Sequence, residues 1–100
     1  MDEYAVKLYA RAYRDLDAIY AYIAETLSAP GTAVRLIDEL ERAILSLSRF
    51  PERCPVRRVG IYADAGYRQL FVKNYVIIYR VEKEKKEVHI VTVRYAPGSF

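Results

Sequence analysis

The chain has 100 residues, 53% of them apolar, a length and composition that suit one domain over residues 1–100 with a single core. No apolar run approaches the roughly 18 residues of a membrane span, and Met1-Asp2-Glu3 lacks the basic flank and apolar stretch of a secretion signal, so we expect a cytoplasmic protein with no membrane contact. The net charge of +3 is unevenly distributed along the chain. Residues 1–50 hold six basic and eight acidic residues, whereas residues 51–100 hold ten basic and five acidic residues. A basic half suits an acidic protein or a polyanion as partner.

The N-terminal segment predicts a strand followed by a helix. Residues 3–9 (EYAVKLY) place Tyr4, Val6 and Leu8 on one side, which is the period-two pattern of a half-buried strand. From about residue 11 to 28 the apolar spacing changes to three and four, as one face of a helix requires. The apolar positions of this helix are Leu16, Ile19, Tyr20, Ile23 and Leu27.

A second helix is predicted over roughly residues 30–49. Residues 28–32 (SAPGT) interrupt the first helix, and Pro30 can start the next because the first helical position needs no N–H. Pro51 ends this helix, and residues 51–64 are expected to form an irregular, basic connection. The apolar positions of the second helix are Leu36, Ile37, Leu40, Ile44 and Leu47.

Three strands close the chain, over about residues 66–72, 74–82 and 87–95, all rich in Val, Ile and Tyr. The short polar links at residues 73–74 and 84–86 favour antiparallel pairing in sequence order. The predicted fold class is α+β, with the order β-α-α-β-β-β and a helical hairpin packed on one face of a small, mainly antiparallel sheet.

The other face of this sheet is the candidate working surface. Strict alternation places Arg94 on the same side of the last strand as Ile90, and His89 on the same side as Val93. Both sides of the preceding strand, which contains Arg80, are largely apolar. Alternation therefore leaves open which side of the sheet meets the helices.

The sequence predicts no metal and no cofactor. Cys54 is the single cysteine, so it has neither a disulfide partner nor ligands at metal spacing. Asp64 and Glu82 lack a second carboxylate at metal spacing, and a lone strand histidine such as His89 is more often a packing or hydrogen-bonding residue than an acid or base. No glycine-rich loop indicates a nucleotide site.

Taken in order, these segments resemble the RelE/ParE superfamily of bacterial toxins over about residues 3–96. The segments that carry the resemblance are residues 16–23 (LDAIYAYI), 36–44 (LIDELERAI), 50–53 (FPER), 66–68 (GYR), 74–81 (NYVIIYRV) and 88–95 (VHIVTVRY). The resemblance implies a toxin that is silenced by a co-expressed antitoxin. It also implies that operator DNA is bound through the antitoxin alone. An antitoxin tail that folds on docking suits the basic half and apolar grooves between helices and sheet.

Two activities share this fold, so the fold does not choose between them. RelE-like enzymes cut messenger RNA on the ribosome, which requires proton transfer and cations around the charged phosphorane. Such enzymes carry arginines at the position of Val76 and in the tail, which here is residues 96–100 (APGSF) and has no basic group. If the chain were RelE-like, the resemblance implies that its catalytic residues are Arg68, Arg80, Arg94 and Tyr95.

ParE-like proteins inhibit DNA gyrase without hydrolysing a substrate. Val76, the tail and the Gly66-Tyr67-Arg68 segment look more like this branch, so gyrase inhibition is the favoured prediction. RelE-like cleavage of messenger RNA is the first alternative. A non-toxic regulatory or RNA-binding α/β module is the second. The predicted target-binding residues are Arg57, Arg58, Arg68, Lys73 and Arg94.

Overall fold

The computed structural model describes residues 3–63 and 65–97. The helices are α1 (Ala10–Ala21) and α2 (Pro30–Ser46), and the strands are β1 (Ala5–Leu8), β2 (Arg68–Val72), β3 (Tyr75–Glu82) and β4 (Glu87–Tyr95). The four strands form one sheet in the order β1-β4-β3-β2, with β1 parallel to β4 and the other pairs antiparallel. The predicted fold class and element order are confirmed. Asp64 and residues 98–100 of the tail lie outside the described residues.

The first helix ends in a wider turn than its sequence pattern predicts. α1 gives way to a π-helical turn over Tyr22–Thr26, where the N–H of Leu27 donates to the carbonyl of Tyr22 at 3.1 Å. Ser28 then adopts a left-handed backbone with φ 52°, which ends the helix. Tyr20 and Leu27 were expected on the buried face, but they are 40% and 54% exposed. The chain therefore leaves apolar surface uncovered at this end of the hairpin.

The second helix begins and ends as its sequence signals indicate. Pro30 occupies its first turn. After its end, Phe50 takes a left-handed conformation with φ 49°. The guanidinium of Arg53 donates to the carbonyls of Arg49, at 2.7 Å, and of Ser46 and Phe50, at 3.3 Å each. Because the last carbonyls of a helix have no partner within it, this arginine satisfies oxygens that the helix leaves open.

The helices cover the side of the sheet that carries Ile77 and Tyr79, here called the helix side. Its opposite, which carries Ile78 and Arg80, is the open side. The core on the helix side consists of residues from both helices, from the turn after them and from the two central strands. Its buried members are Ala12, Leu16, Leu40, Ile44, Leu47, Cys54, Ile77, Tyr79, Val88, Ile90 and Val93.

A β-bulge in β4 overturns the predicted alternation of that strand. Ile78 lies opposite Thr92 and Tyr79 lies opposite Ile90, so Val91 is an extra residue in the ladder. Ile90 therefore points to the helix side together with Val93, and His89 points to the open side together with Arg94. The predicted grouping of Arg94 with Ile90 and of His89 with Val93 is wrong, because one inserted residue reverses the alternation beyond it.

Asp15 of α1 accepts hydrogen bonds from the edge of β4 at the point where β1 no longer pairs with it. The pairing of β1 with β4 stops at Leu8 and Ile90. One carboxylate oxygen of Asp15 accepts the N–H of Val93 at 3.1 Å, and it also accepts the hydroxyl of the fully buried Thr92. A helix side chain thus replaces the missing strand, since buried backbone donors require a partner.

Tyr79 connects the sheet to the short 3₁₀ turn at Pro51–Arg53. Its buried hydroxyl donates to the carbonyl of Pro51 at 2.6 Å. Burial, followed by contact with Cys54, raises the pKa of Tyr79 well above its usual value, so the phenol stays protonated and remains a donor. The contact fixes the start of the connection that leads to β2.

We expect Tyr79→Phe to lower the free energy of unfolding by about 1–2 kcal/mol, because it leaves the buried Pro51 carbonyl without a donor. Urea denaturation measures this change. Tyr13→Phe is the control, since Tyr13 is exposed on α1 and should change stability by less than about 0.5 kcal/mol. Equal stabilities of the two variants would show that the Tyr79 hydrogen bond contributes nothing.

Candidate functional site

The open side of the sheet presents two of the arginines that the sequence singled out. Arg80 lies opposite His89, and Arg94 lies opposite Val76. The two positions are four residues apart along β3, which corresponds to about 13 Å at the usual rise of a strand. Val76 itself is buried. The open side therefore carries cations at its two ends instead of one concentrated cluster.

The basic connection between α2 and β2 lies against the open side and adds a third arginine to it. Arg57 donates to the side-chain oxygen of Gln69 at 2.9 Å. Gln69 is on the edge strand β2, opposite Ile78 of the central strand β3. The guanidinium of Arg94 stacks over the ring of Tyr62, 5.6 Å from its centroid. We call Arg57, Arg80 and Arg94 the open-side arginines. Arg58 is exposed in the same connection.

Three other predicted site residues lie on the helix side. Arg68, opposite Tyr79, donates to the carbonyl of Cys54 at 2.6 Å. Lys73, in the turn after β2, pairs with Glu39 of α2 at 3.9 Å. Tyr95 packs edge-on against Tyr75 with ring centroids 5.4 Å apart. The contacts of Arg68 and Lys73 tie the sheet to the turn after the helices and to α2, whereas the Tyr95 contact lies within the sheet.

The sheet therefore separates the four residues that the RelE-like alternative requires for catalysis. Arg80 and Arg94 point to the open side, whereas Arg68 and Tyr95 point to the helix side. A reacting phosphate needs its proton acceptor and its cations within hydrogen-bonding distance of the same atoms. Residues on opposite faces of a sheet do not meet that condition in this structure.

Four polar side chains on the open side, those of Lys7, Glu87, His89 and Tyr9, contact one another in a row that we call the polar chain. This row was not predicted from the sequence. Glu87 accepts from Lys7 at 2.8 Å and bonds Nε2 of His89 at 2.9 Å. The other ring nitrogen of His89 lies 3.2 Å from the hydroxyl of Tyr9. The contacts with Lys7 and then His89 lower the pKa of Glu87 to about 2, so Glu87 is ionised at neutral pH. Local sequence gives no signal of this chain, because it depends on the pairing of β1 with β4.

An apolar groove of about 830 Å³ lies between the open end of the helical hairpin and the sheet; we call it the helix–sheet groove. The π-helical turn contributes Tyr22 and Ile23 to its wall, and Leu27 follows them. Tyr75 and Tyr95 close it from the sheet, and burial raises the pKa of Tyr75. The polar residues along this groove are Thr32, Arg35, Glu39, Lys73 and Asn74.

Two further properties concern the part of the chain that the structure describes. Within residues 3–63 and 65–97, no helix has the length and apolar character needed to cross a membrane. Among the same residues, no three His, Cys, Asp or Glu side chains are placed to hold a metal ion.

Comparison with known proteins points to one family. A family model described as the ParE toxin of type II toxin–antitoxin system, parDE, matches residues 6–96. The fold is similar to a chain of the chromosomal ParDE system of P. aeruginosa, with a TM-score of 0.78 and 22% identity over 94% of this chain and 97% of that one. No curated protein matches the chain significantly.

Two RelBE structures share the fold with lower TM-scores. A chain of the RelBE2 complex of Mycobacterium tuberculosis has a TM-score of 0.65 and 25% identity, over 95% of this chain and 93% of that one. A chain of the intact E. coli RelBE complex has a TM-score of 0.63 and 15% identity, over 93% and 96%. The RelE/ParE-like architecture predicted from the sequence is thereby confirmed.

Proposed function

Because the chain belongs to the ParE toxin family of type II toxin–antitoxin systems, we propose that it arrests growth by poisoning DNA gyrase and that a cognate antitoxin neutralises it. The observation that carries this proposal is the separation of the candidate catalytic residues onto opposite faces of the sheet. A toxin that acts by binding needs no such convergence. For such a toxin, the open-side arginines need only contact the target.

The open-side arginines form the proposed target-binding surface. Arg57 holds Gln69, Arg80 pairs with Glu82 at 3.1 Å, and Arg94 stacks on Tyr62. These contacts position each guanidinium before the target arrives, which lowers the entropy cost of binding. Spaced cations on a sheet suit an extended acidic surface better than a single phosphate.

The helix–sheet groove is the proposed antitoxin site. Its floor is apolar, and Lys73 and Arg35 stand on its rim. A segment that is disordered alone and folds on docking would bury its apolar residues there and place its acidic residues beside these cations. Because this groove and the open-side arginines lie on different faces, we propose that the antitoxin neutralises the toxin without filling the target-binding surface.

The test is an inducible copy of the chain, expressed with and without the small antitoxin gene that this proposal expects beside it. Expression alone should arrest growth, and the purified protein should block supercoiling by gyrase while translation with purified ribosomes continues. The double variant Arg57→Ala/Arg94→Ala should lose at least roughly tenfold in gyrase inhibition, because truncating a desolvated charged contact costs about 2–5 kcal/mol.

Arg14→Ala is the matched control, because Arg14 is an exposed arginine of α1 on the helix side of the molecule. It should inhibit gyrase as the wild type does. Thermal unfolding of each variant separates loss of contact from loss of fold. Normal supercoiling with ribosome-dependent cleavage of messenger RNA would overturn the gyrase proposal in favour of the nuclease. Unimpaired growth in the absence of the neighbouring gene would overturn the proposal of toxicity.

A further inference from the structure

The polar chain on the open side has the geometry of an activated nucleophile. A hydroxyl, an imidazole and a carboxylate lie side by side in space. The hydroxyl of Tyr9 is 3.2 Å from Nδ1 of His89, and Nε2 of His89 is 2.9 Å from Glu87. Nucleophile and base within hydrogen-bonding reach, with the base oriented by a third group, is the arrangement that covalent catalysis uses. The three residues come from β4 and from the β1–α1 junction, 80 positions apart at most.

Glu87 determines which nitrogen of His89 is available to Tyr9. Lys7 binds one carboxylate oxygen of Glu87 at 2.8 Å, while the other oxygen meets Nε2 of His89. An ionised carboxylate only accepts hydrogen bonds, so Nε2 carries the proton. In the neutral ring Nδ1 is then an acceptor, and the hydroxyl of Tyr9 donates to it. The phenol thus points its proton at a base.

Arg80 provides a cation next to the same hydroxyl. It lies opposite His89 across the β3–β4 pair, and its contact with Tyr9 is the main cause that raises its pKa. The Nε atom of Arg80 is buried and has no hydrogen-bond partner among the described residues. A guanidinium in this place can bind an oxygen of a tetrahedral group attached to or approaching Tyr9. Tyr9 itself is 40% exposed, so such a group can reach it.

We propose that Tyr9 is a nucleophile for activated phosphoryl groups, with His89 as general base, Glu87 as the residue that positions His89, and Arg80 binding a phosphoryl oxygen. In the reaction the Tyr9 oxygen forms a bond to phosphorus while the bond from phosphorus to the leaving group breaks. The leaving group departs with the electron pair of that bond. The Tyr9 proton passes to Nδ1 of His89 and from there to water, so no oxidant or further reactant is required.

Diisopropyl fluorophosphate is a direct probe, because its phosphorus reacts with activated hydroxyls and releases fluoride. The chain carries its own control, since Tyr20 is exposed to the same 40% and Tyr13 is more exposed at 58%. If exposure governs the reaction, Tyr13 is labelled faster than Tyr9, and Tyr9 is labelled at the same rate as Tyr20. If His89 activates Tyr9, peptide mapping by mass spectrometry should show Tyr9 labelled about 10- to 100-fold faster than Tyr20, the lower range of general-base effects.

Variants distinguish activation from a structural role. In His89→Ala the ratio of Tyr9 to Tyr20 labelling should fall to about one, and added imidazole should restore it. Glu87→Gln should lower the ratio as well, and it carries the test if His89→Ala fails to fold. Tyr9→Phe should remove the label from that peptide. A wild-type ratio near one, or a ratio unchanged in either folded variant, would overturn the proposal. Labelling needs neither gyrase nor an antitoxin, so the result is independent of the proposed toxic activity.

Discussion

Asp15→Ala is expected to lower the free energy of unfolding by about 3 kcal/mol. The substitution removes the acceptor of two buried donors, the hydroxyl of Thr92 and the N–H of Val93. A hydrogen bond to a charged group contributes about 1.5–3 kcal/mol, and a buried donor left without a partner adds its own desolvation cost. Since small domains are stable by only about 5–15 kcal/mol, this loss is a large share of the total, and the urea concentration at the unfolding midpoint should fall clearly. Urea denaturation with the wild type in parallel gives the difference.

Two further variants make this result specific. Asp17→Ala removes an exposed carboxylate from the same helix and should change stability by less than about 0.5 kcal/mol. Asp15→Asn keeps one acceptor oxygen and should lie between Asp15→Ala and the wild type. If Asp15→Ala and Asp17→Ala prove equally stable, the edge of β4 is satisfied without Asp15, and the role given to this carboxylate is wrong.

Leu27→Glu is expected to weaken antitoxin binding by about 100-fold, on the proposal that the antitoxin fills the helix–sheet groove. Leu27 lines this groove and is 54% exposed in the chain alone. Covering a leucine side chain contributes about 1.5–3 kcal/mol. A carboxylate in its place would be desolvated without a partner, which adds to the loss. Calorimetric titration of the purified toxin with its cognate antitoxin measures the affinity.

The groove prediction has a matched control on the neighbouring helix. Val34 is 48% exposed on α2 and does not line the groove, so Val34→Glu should bind antitoxin within a few-fold of the wild type. Leu27→Glu should still inhibit gyrase, because the open-side arginines are untouched, and co-expressed antitoxin should no longer rescue growth. Wild-type affinity of Leu27→Glu would place the antitoxin elsewhere.

Local pattern was enough to predict both α-helices and the four strands that the structure describes, though not the π-helical and 3₁₀ turns. The period-two run before Tyr9, the three-and-four spacing of the two helical segments and the polar links between the last strands all correspond to elements of the structure. Local backbone preference and one buried stripe produce these signals, and neither requires knowledge of distant residues. The ordered set of segments also identified the family, which the family model over residues 6–96 confirms.

The working surfaces could not be predicted in the same way. The prediction of side-chain direction from strict alternation was wrong in β4, because the bulge at Val91 places His89 and Ile90 on the opposite faces from those expected. Arg68 was grouped with Arg94 on residue type, yet the two lie on opposite faces of the sheet. Both outcomes depend on strand register, and a shift of one residue moves a side chain from one face to the other.

The amino-acid sequence by itself determined the elements, their order and the family, since these follow from periodicity and from residues close together in the chain. Tertiary structure alone decided which arginines share a face, that Glu87, His89 and Tyr9 meet, and that Asp15 completes the edge of β4. Asp15 and Thr92 are 77 positions apart. Contacts of this kind exist only after β1 pairs with β4 and the helices cover one side of the sheet, because long-range register is set by packing.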